Sequence, residues 1–211
     1  MNPSLPKDPA ELVRQGYNRI AHKYLRARSA GAPDLPLLAE FSHLLPPDAL
    51  VLDAGCGAGV PVAQFLAQSH HVVGVDFSIT QVGMANRLVP SARFVCQDMT
   101  HLGFPFGLFD GICSFYAILH VPRAKHTALL ADLYRLLKTP GYALLCLGAE
   151  DNADDRAPYM GVAMCWSHFD SATYLDMLTR IGFKLITSKM VPDPIAKTGA
   201  HLFVLVQKNR V

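Results

Sequence analysis

The sequence predicts an α/β protein: a mostly parallel sheet covered by helices on both faces, with an antiparallel strand pair added at one edge. Three observations carry this. Between residues 49 and 147, short runs rich in Val, Leu, Ile and Cys alternate with stretches of helical period. Strands that are apolar along their whole length belong to a sheet buried on both sides. The first run ends in a glycine turn, Gly55-Cys56-Gly57-Ala58-Gly59. Near the C-terminus, 183–191 and 201–207 lie too close together for a crossover helix, so they pair antiparallel.

Each element has its own signal. Residues 9–28 place Val13, Tyr17, Ile20, Ala21, Tyr24 and Leu25 at three-and-four spacing, which makes an amphipathic helix. Arg14, Arg19, Lys23, Arg26 and Arg28 fall mostly on its solvated side. A Gly/Pro loop follows, then a short helix over 37–45, stopped by Pro46 and Pro47. Strands are expected at 49–54, 71–75, 92–96, 109–115 and 141–147, and helices at 60–69, 79–88 and 124–138. After Gly148 an acidic loop with Glu150, Asp151, Asp154 and Asp155 leads into the aromatic segment 159–169. The stretch 149–170 is therefore expected as a loop inserted on the sheet's ligand side. A helix over 171–181, capped by Asp170 or Ser171 and ended by Gly182, precedes the closing strands.

Composition narrows the function. The chain has 211 residues, 51% of them hydrophobic and 17% charged, which suffices for a full core and excludes general disorder. Nineteen basic residues against 17 acidic ones leave a formal charge of +2, so no nucleic-acid partner is expected. The longest apolar run, Tyr142–Leu147, is of strand length, so no membrane span is expected. The opening MNPSLPKDPAEL has no apolar signal core. Five cysteines without CxxC spacing read as reduced thiols, with Cys165 outside the expected core, and argue for a cytoplasmic protein without a metal site.

The chemistry concentrates at strand ends. Val51-Leu52-Asp53-Ala54-Gly55-Cys56-Gly57-Ala58-Gly59 ends a strand in a carboxylate and lets the backbone approach a ligand closely. A dinucleotide fold would carry GxGxxG here. Asp53 would repel a pyrophosphate and suits a cationic ligand. Asp76 ends the next strand, 23 positions on, where an acidic residue accepts both hydroxyls of a ribose. Its plain alternative is a cap for the helix that begins near Ser78. Asp98 follows the third strand, where its carboxylate and the Met99 amide suit an adenine edge. The run Phe109-Asp110-Gly111-Ile112-Cys113-Ser114-Phe115-Tyr116-Ala117-Ile118-Leu119-His120 follows as the fourth.

The order of these motifs, with Gly74-Val75-Asp76-Phe77-Ser78, Gln97-Asp98-Met99 and Leu136-Leu137-Lys138-Thr139-Pro140-Gly141, resembles the class I S-adenosylmethionine-dependent methyltransferases. Tyr17-Asn18-Arg19-Ile20-Ala21 through Tyr24 is similar to their N-terminal cap helix, and Trp166-Ser167-His168-Phe169 with the closing strands to their C-terminal half. The resemblance covers roughly residues 17–206. It implies a Rossmann-like seven-stranded sheet with an antiparallel last strand, in one domain with a helical cap over 1–45, and S-adenosylmethionine as cofactor. Asp53, Gly55 and Gly57 would hold the methionine end, Asp76 the ribose and Phe77 the adenine face. Asp98 and Met99 would read the adenine edge, with Ser114 and Phe115 under the methionyl chain.

The implied reaction is methyl transfer to a small molecule at O, N or C, by a monomer or homodimer. His120, held at the sheet's carboxyl edge by the extended Val121-Pro122, is the expected base, and His168 the second candidate. A hydrogen-bonded structural histidine is the plain alternative for either. Tyr17, Tyr24, Tyr116, Tyr159, Met160, Trp166 and His168 are expected to line the acceptor pocket. The alternatives are a protein or RNA methyltransferase with a flat, charged mouth, a non-catalytic S-adenosylmethionine binder with no room for an acceptor, and, more distantly, a nicotinamide oxidoreductase.

Overall fold

The computed structural model describes residues 6–28, 34–196 and 199–209. In chain order the elements are α1 (Pro9–Arg28), α2 (Leu35–Leu44), β1 (Leu50–Ala54), α3 (Val62–Leu66), β2 (His71–Asp76), α4 (Ile79–Leu88), β3 (Arg93–Cys96) and β4 (Phe109–Ser114). They continue with α5 (His126–Leu136), β5 (Leu137–Leu147), β6 (Asn152–Tyr159), β7 (Val162–His168), α6 (Ser171–Ile181), β8 (Lys184–Pro192) and β9 (Ala200–Lys208).

Seven strands form one sheet in the order β3-β2-β1-β4-β5-β9-β8. The first five run parallel, and β9 is antiparallel to both β5 and β8. The apolar runs explain the layering. Leu52, Ile112, Ala143 and Leu145 face one side, where Leu129, Leu130 and Leu133 of α5 and Tyr174 and Leu178 of α6 cover them. Val51, Cys113, Leu144 and Cys146 face the other side, against Leu37, Leu38 and Phe41 of α2 and Val62, Ala63 and Leu66 of α3. β1 runs on to β2 on one side and pairs β4 on the other, so the order reverses beside β1. Ligands of open parallel sheets bind at such a point, at the carboxyl ends of the strands.

α1 follows its apolar face onto the rest of the fold. Gly16 meets β7 so closely that a Cβ there would lie 2.7 Å from Sδ of Met164. Asn18 Oδ1 accepts from Ser78 Oγ at 2.7 Å and from the Thr80 amide at 3.3 Å, which ties α1 to the start of α4.

Several expectations are corrected. The stretch expected as a loop over 149–170 contains the antiparallel hairpin β6–β7, a two-stranded sheet of its own. Its turn is Met160-Gly161, with φ of 53° and 93°. Two left-handed residues make the turn that suits a tight hairpin, but Met at the first position hid the signal, and Asp154 and Asp155 hid the strand. The helix expected over 124–138 stops at Leu136 and passes directly into β5. Arg28 does not lie on the solvated side of α1: it is buried against Asp34, with Nη1 at 3.3 Å from Oδ1. Cys165 is buried and Cys96 is the exposed cysteine, because the hairpin covers the first and β3 is a sheet edge. All five cysteines are free. Among the described residues no helix is long and apolar enough to cross a membrane.

Candidate active site

The carboxyl ends of β1, β2, β3 and β4 open onto a cleft of about 730 Å³, roofed by α1 through Val13, Tyr17 and Tyr24. Gly55, Gly57, Asp76, Phe77, Asp98 and Met99 all line it. Gly55 has φ of 80°, and a Cβ there would collide with Cβ of Ala117 and lie 2.9 Å from Cε of Met99. The turn therefore needs glycine for conformation and for space.

Asp76 holds this turn. Its Oδ2 accepts from the Gly57 amide at 2.9 Å and its Oδ1 from the Ser78 amide at 2.8 Å. Each oxygen keeps a further lone pair for a ligand. Burial pushes its pKa up to about 6, against the two backbone hydrogen bonds. The helix cap that was the alternative role falls to Ser78, whose Oγ accepts from the Gln81 amide at 3.2 Å. Asp98 similarly caps a short turn, accepting from the Thr100 amide at 2.8 Å, while lining the cleft.

Asp53 stands at one end of this space, in a neighbouring hollow of about 400 Å³ that shares Tyr24, Gly55, Gly57 and Phe115 with the cleft. It is 1% exposed. Burial, partly opposed by the Cys113 thiol 3.7 Å from Oδ1, pushes its pKa up to about 7. Its Oδ2 is buried without a hydrogen-bond partner. Arg28 lines the same hollow.

A third space of about 600 Å³ shares Tyr17, Tyr24, Tyr116 and His120 with the cleft and adds Tyr159, Trp166, Asp193 and His201. His120 lies in the partition. Its Nδ1 is 2.7 Å from the Cys165 carbonyl, which can only accept, so the proton is on Nδ1. Nε2 then accepts from the Tyr17 hydroxyl at 2.9 Å. Burial, against the Cys165 hydrogen bond, lowers the His120 pKa to about 4, and burial raises that of Tyr17 well above the ordinary value. Both are neutral near pH 7.

A methyltransferase-domain family model matches residues 51–141, the stretch that builds the cofactor side of this site. Residues 51–141 thus belong to the methyltransferase-domain family. A 2-methyl-6-phytyl-1,4-hydroquinone methyltransferase of Synechocystis sp. is 35% identical over 117 residues, 53% of this chain and 35% of the relative. A phosphoethanolamine N-methyltransferase of Plasmodium falciparum is 30% identical over 151 residues, 68% of this chain and 56% of the relative. The chain thus spans between about a third and just over half of these relatives' lengths. Among solved structures, a Burkholderia thailandensis 1,6-didemethyltoxoflavin-N1-methyltransferase, with bound 1,6-didemethyltoxoflavin and S-adenosylhomocysteine, superposes with a TM-score of 0.75. It shares 24% identity and covers 98% of this chain and 93% of that one, which establishes the shared fold.

The residues fit the family's cofactor. An orphaned, buried carboxylate oxygen at Asp53 needs a donor, and a methionyl ammonium supplies one. Asp76, with spare acceptor capacity, suits two ribose hydroxyls, and Phe77, Asp98 and Met99 stand along the same cleft for an adenine. Ser114 does not join them. It is fully buried, its Oγ donates to the Ala54 carbonyl at 2.7 Å, and it lines none of the three spaces.

The third space brings together Tyr17, Tyr24, Tyr116, Tyr159 and Trp166 but leaves out two residues expected there. Met160 lies in the hairpin turn, where its carbonyl accepts from Lys23 Nζ at 2.9 Å. His168 is structural: its Nδ1 is hydrogen-bonded to the Glu150 carbonyl at 2.8 Å.

Three site residues escaped the sequence. Gln81 is 1% exposed, lines the cleft and has an unpartnered Oε1. Ser78-Ile79-Thr80-Gln81 carries the spacing of a capping box, but Asp76 already takes the Ser78 amide, which frees the Gln81 side chain for the cleft. Asp193 and His201 meet only across the β8–β9 connection, a pairing without a local signal.

Proposed function

We propose that the protein transfers a methyl group from S-adenosylmethionine to a small-molecule acceptor held in the aromatic-walled space beside the cofactor cleft. The observation that carries this is the buried, unpartnered Oδ2 of Asp53, at the far end of a cleft whose middle is held open by Asp76 and the glycine turn. When bound, S-adenosylmethionine supplies an electrophilic methyl group on a sulfonium sulfur.

The chain's own residues do the rest. Asp53 pairs the ammonium and Asp76 the ribose, which fixes the cofactor along the sheet edge. Tyr17, Tyr24 and Tyr116, shared by cleft and acceptor space, form the opening through which the two reactants face each other. Transfer from a sulfonium is downhill, so alignment supplies much of the acceleration. Tyr17 and His120 are locked to each other and to the Cys165 carbonyl, and they hold that opening in shape.

The aromatic walls support a small acceptor over a protein or RNA, whose recognition calls for a flat, charged mouth. The second space beside the cofactor cleft supports an enzyme over a mere binder. The names of the relatives favour ring-bearing or amine acceptors. We read the chain as one domain with a cap over 1–45 and the β6–β7 hairpin as its substrate-side insertion. We also read it as a cytoplasmic protein on its five free thiols, and as a monomer or homodimer. Calorimetric titration with S-adenosylmethionine, followed by a screen of phenols, N-heteroaromatics and amines for S-adenosylhomocysteine release, tests the reading. Absence of cofactor binding contradicts it.

A further inference from the structure

Resting on that methyltransferase reading, we propose that His201, oriented by Asp193, is the general base of the acceptor site, and that the acceptor is a planar aromatic molecule bearing a weakly acidic O–H or ring N–H. The pair lies in the wall of the acceptor space, on β9 and at the end of β8. Nε2 of His201 is 2.9 Å from Oδ2 of Asp193. A carboxylate only accepts, so Nε2 carries the proton and the lone pair of His201 is on Nδ1. Oδ1 of Asp193 is fixed by the Ile195 amide at 2.7 Å and the Ala196 amide at 2.6 Å. Against the cost of burial, these hydrogen bonds hold the Asp193 pKa below the ordinary value. A charged carboxylate that orients an imidazole and leaves its other nitrogen free is the arrangement of a histidine base.

His120 lacks that freedom, since both of its nitrogens are engaged, by Tyr17 and by Cys165. The ionisable groups that share the space with His201 are Asp193, His120, Tyr17, Tyr24, Tyr116 and Tyr159. Burial holds the four tyrosines as phenols and lowers His120 to about 4. His201 is therefore the group in this set that is oriented by a carboxylate at one ring nitrogen, with the other left to face the space. Its ring stands edge-on to Tyr116, 5.1 Å between centroids, and Tyr116 also faces the cofactor cleft. The aromatic walls suit a flat ring by stacking and edge contacts.

The step balances. The acceptor's X–H bond breaks and its proton passes to Nδ1 of His201. The electron pair left on X forms the X–CH3 bond, and the S–CH3 pair stays on sulfur as a neutral thioether. The imidazolium is stabilised by Asp193 and releases its proton to water.

The test uses 4-nitrophenol with the full chain saturated with S-adenosylhomocysteine, at a pH below the probe's own pKa. Wild-type protein is expected to bind the probe as the coloured phenolate, and His201→Asn to bind it as the colourless phenol. With S-adenosylmethionine, 4-nitroanisole formation in His201→Asn is expected to fall about 10²–10⁴-fold. Equal phenolate and equal rates in the two proteins, or no probe binding by a wild type that binds S-adenosylhomocysteine, overturn the proposal. Failure of the wild type to bind S-adenosylhomocysteine strikes the methyltransferase reading instead. Nitrogen NMR of the wild-type histidines gives a check that needs no variant to fold. His201 is expected with its proton on Nε2 and His120 with its proton on Nδ1. A proton on Nδ1 of His201 overturns the assignment.

Discussion

The hydroxyl of Tyr17 donates to Nε2 of His120 across 2.9 Å, joining the N-terminal helix to the loop after β4 at the partition between cofactor cleft and acceptor space. Because Nδ1 of His120 is pinned to the Cys165 carbonyl, the β6–β7 hairpin belongs to the same chain of contacts. Three segments far apart in sequence thus meet at one hydrogen-bonded pair.

Tyr17→Phe or His120→Ala is expected to lower turnover by about two- to tenfold, the worth of one ordinary hydrogen bond. Cofactor affinity should be nearly unchanged. The double variant should be little worse than either single one, because both remove the same contact. Steady-state rates for the four proteins, with a common acceptor, check this. Additive losses would mean that each residue acts on its own.

Cofactor binding is expected to weaken in acid. Asp53, with a pKa of about 7, must be ionised to pair an ammonium, and Asp76, at about 6, is the better ribose acceptor when ionised. Below those values a proton has to be displaced, so affinity should fall about tenfold per pH unit for each group. Above about pH 8 the ligand's own amino group loses its charge, so affinity falls again. Asp53→Asn should flatten the acid limb and lower affinity most above pH 7. Calorimetric titration across this range measures it.

Asp76→Ala is expected to cost up to about 1.5–3 kcal/mol of cofactor affinity for each charged hydrogen bond lost. It also frees the Gly57 and Ser78 amides, so the glycine turn should loosen. Gly55→Ala should be the more damaging glycine change, because its Cβ has no space, whereas a Cβ at Gly57 meets nothing nearer than Gln81 Oε1 at 3.9 Å. Melting temperatures with and without S-adenosylhomocysteine separate loss of fold from loss of binding.

α1 is expected to act as a lid. It roofs the cleft through Val13, Tyr17 and Tyr24, and Asn18–Ser78, Tyr17–His120 and Lys23–Met160 are hydrogen bonds that its movement would have to release. Amide exchange over residues 9–28 should slow when cofactor and acceptor bind. Equal protection in both states would make the helix a fixed wall.

The sheet and the gathering of Asp53, the glycine turn and Asp76 at its carboxyl edge were legible in the sequence because their signals are local. Asp53, the three glycines and Asp76 sit at the ends of apolar runs, and a strand end followed by a helix start fixes where such residues go. α6 was legible for the same reason, with Asp170 capping it through the Thr173 amide at 2.9 Å and Gly182 ending it at φ of 109°. The acceptor side was read only in part. Its aromatic residues were visible as a stripe on α1 and a cluster near Trp166, but the hairpin that presents them hides behind a Met-Gly turn. His201 and Asp193 lie eight residues apart across a connection, and only the register of β8 on β9, with Val191 opposite His201, brings them together. Ser114 was misplaced because its hydroxyl finds a backbone carbonyl on the neighbouring strand, a choice that depends on which face of β4 it occupies.

The most direct test of the central claim is calorimetric titration of the full chain with S-adenosylmethionine and S-adenosylhomocysteine, with NAD as control and Asp53→Asn beside the wild type. One site per chain is expected for both sulfur ligands, none for NAD, and a weaker site in the variant. Ligand at a hundred times its dissociation constant should then add about 2.7 kcal/mol of stability. A folded wild type that gives no heat and no thermal shift with millimolar S-adenosylmethionine, or that binds NAD instead, contradicts it.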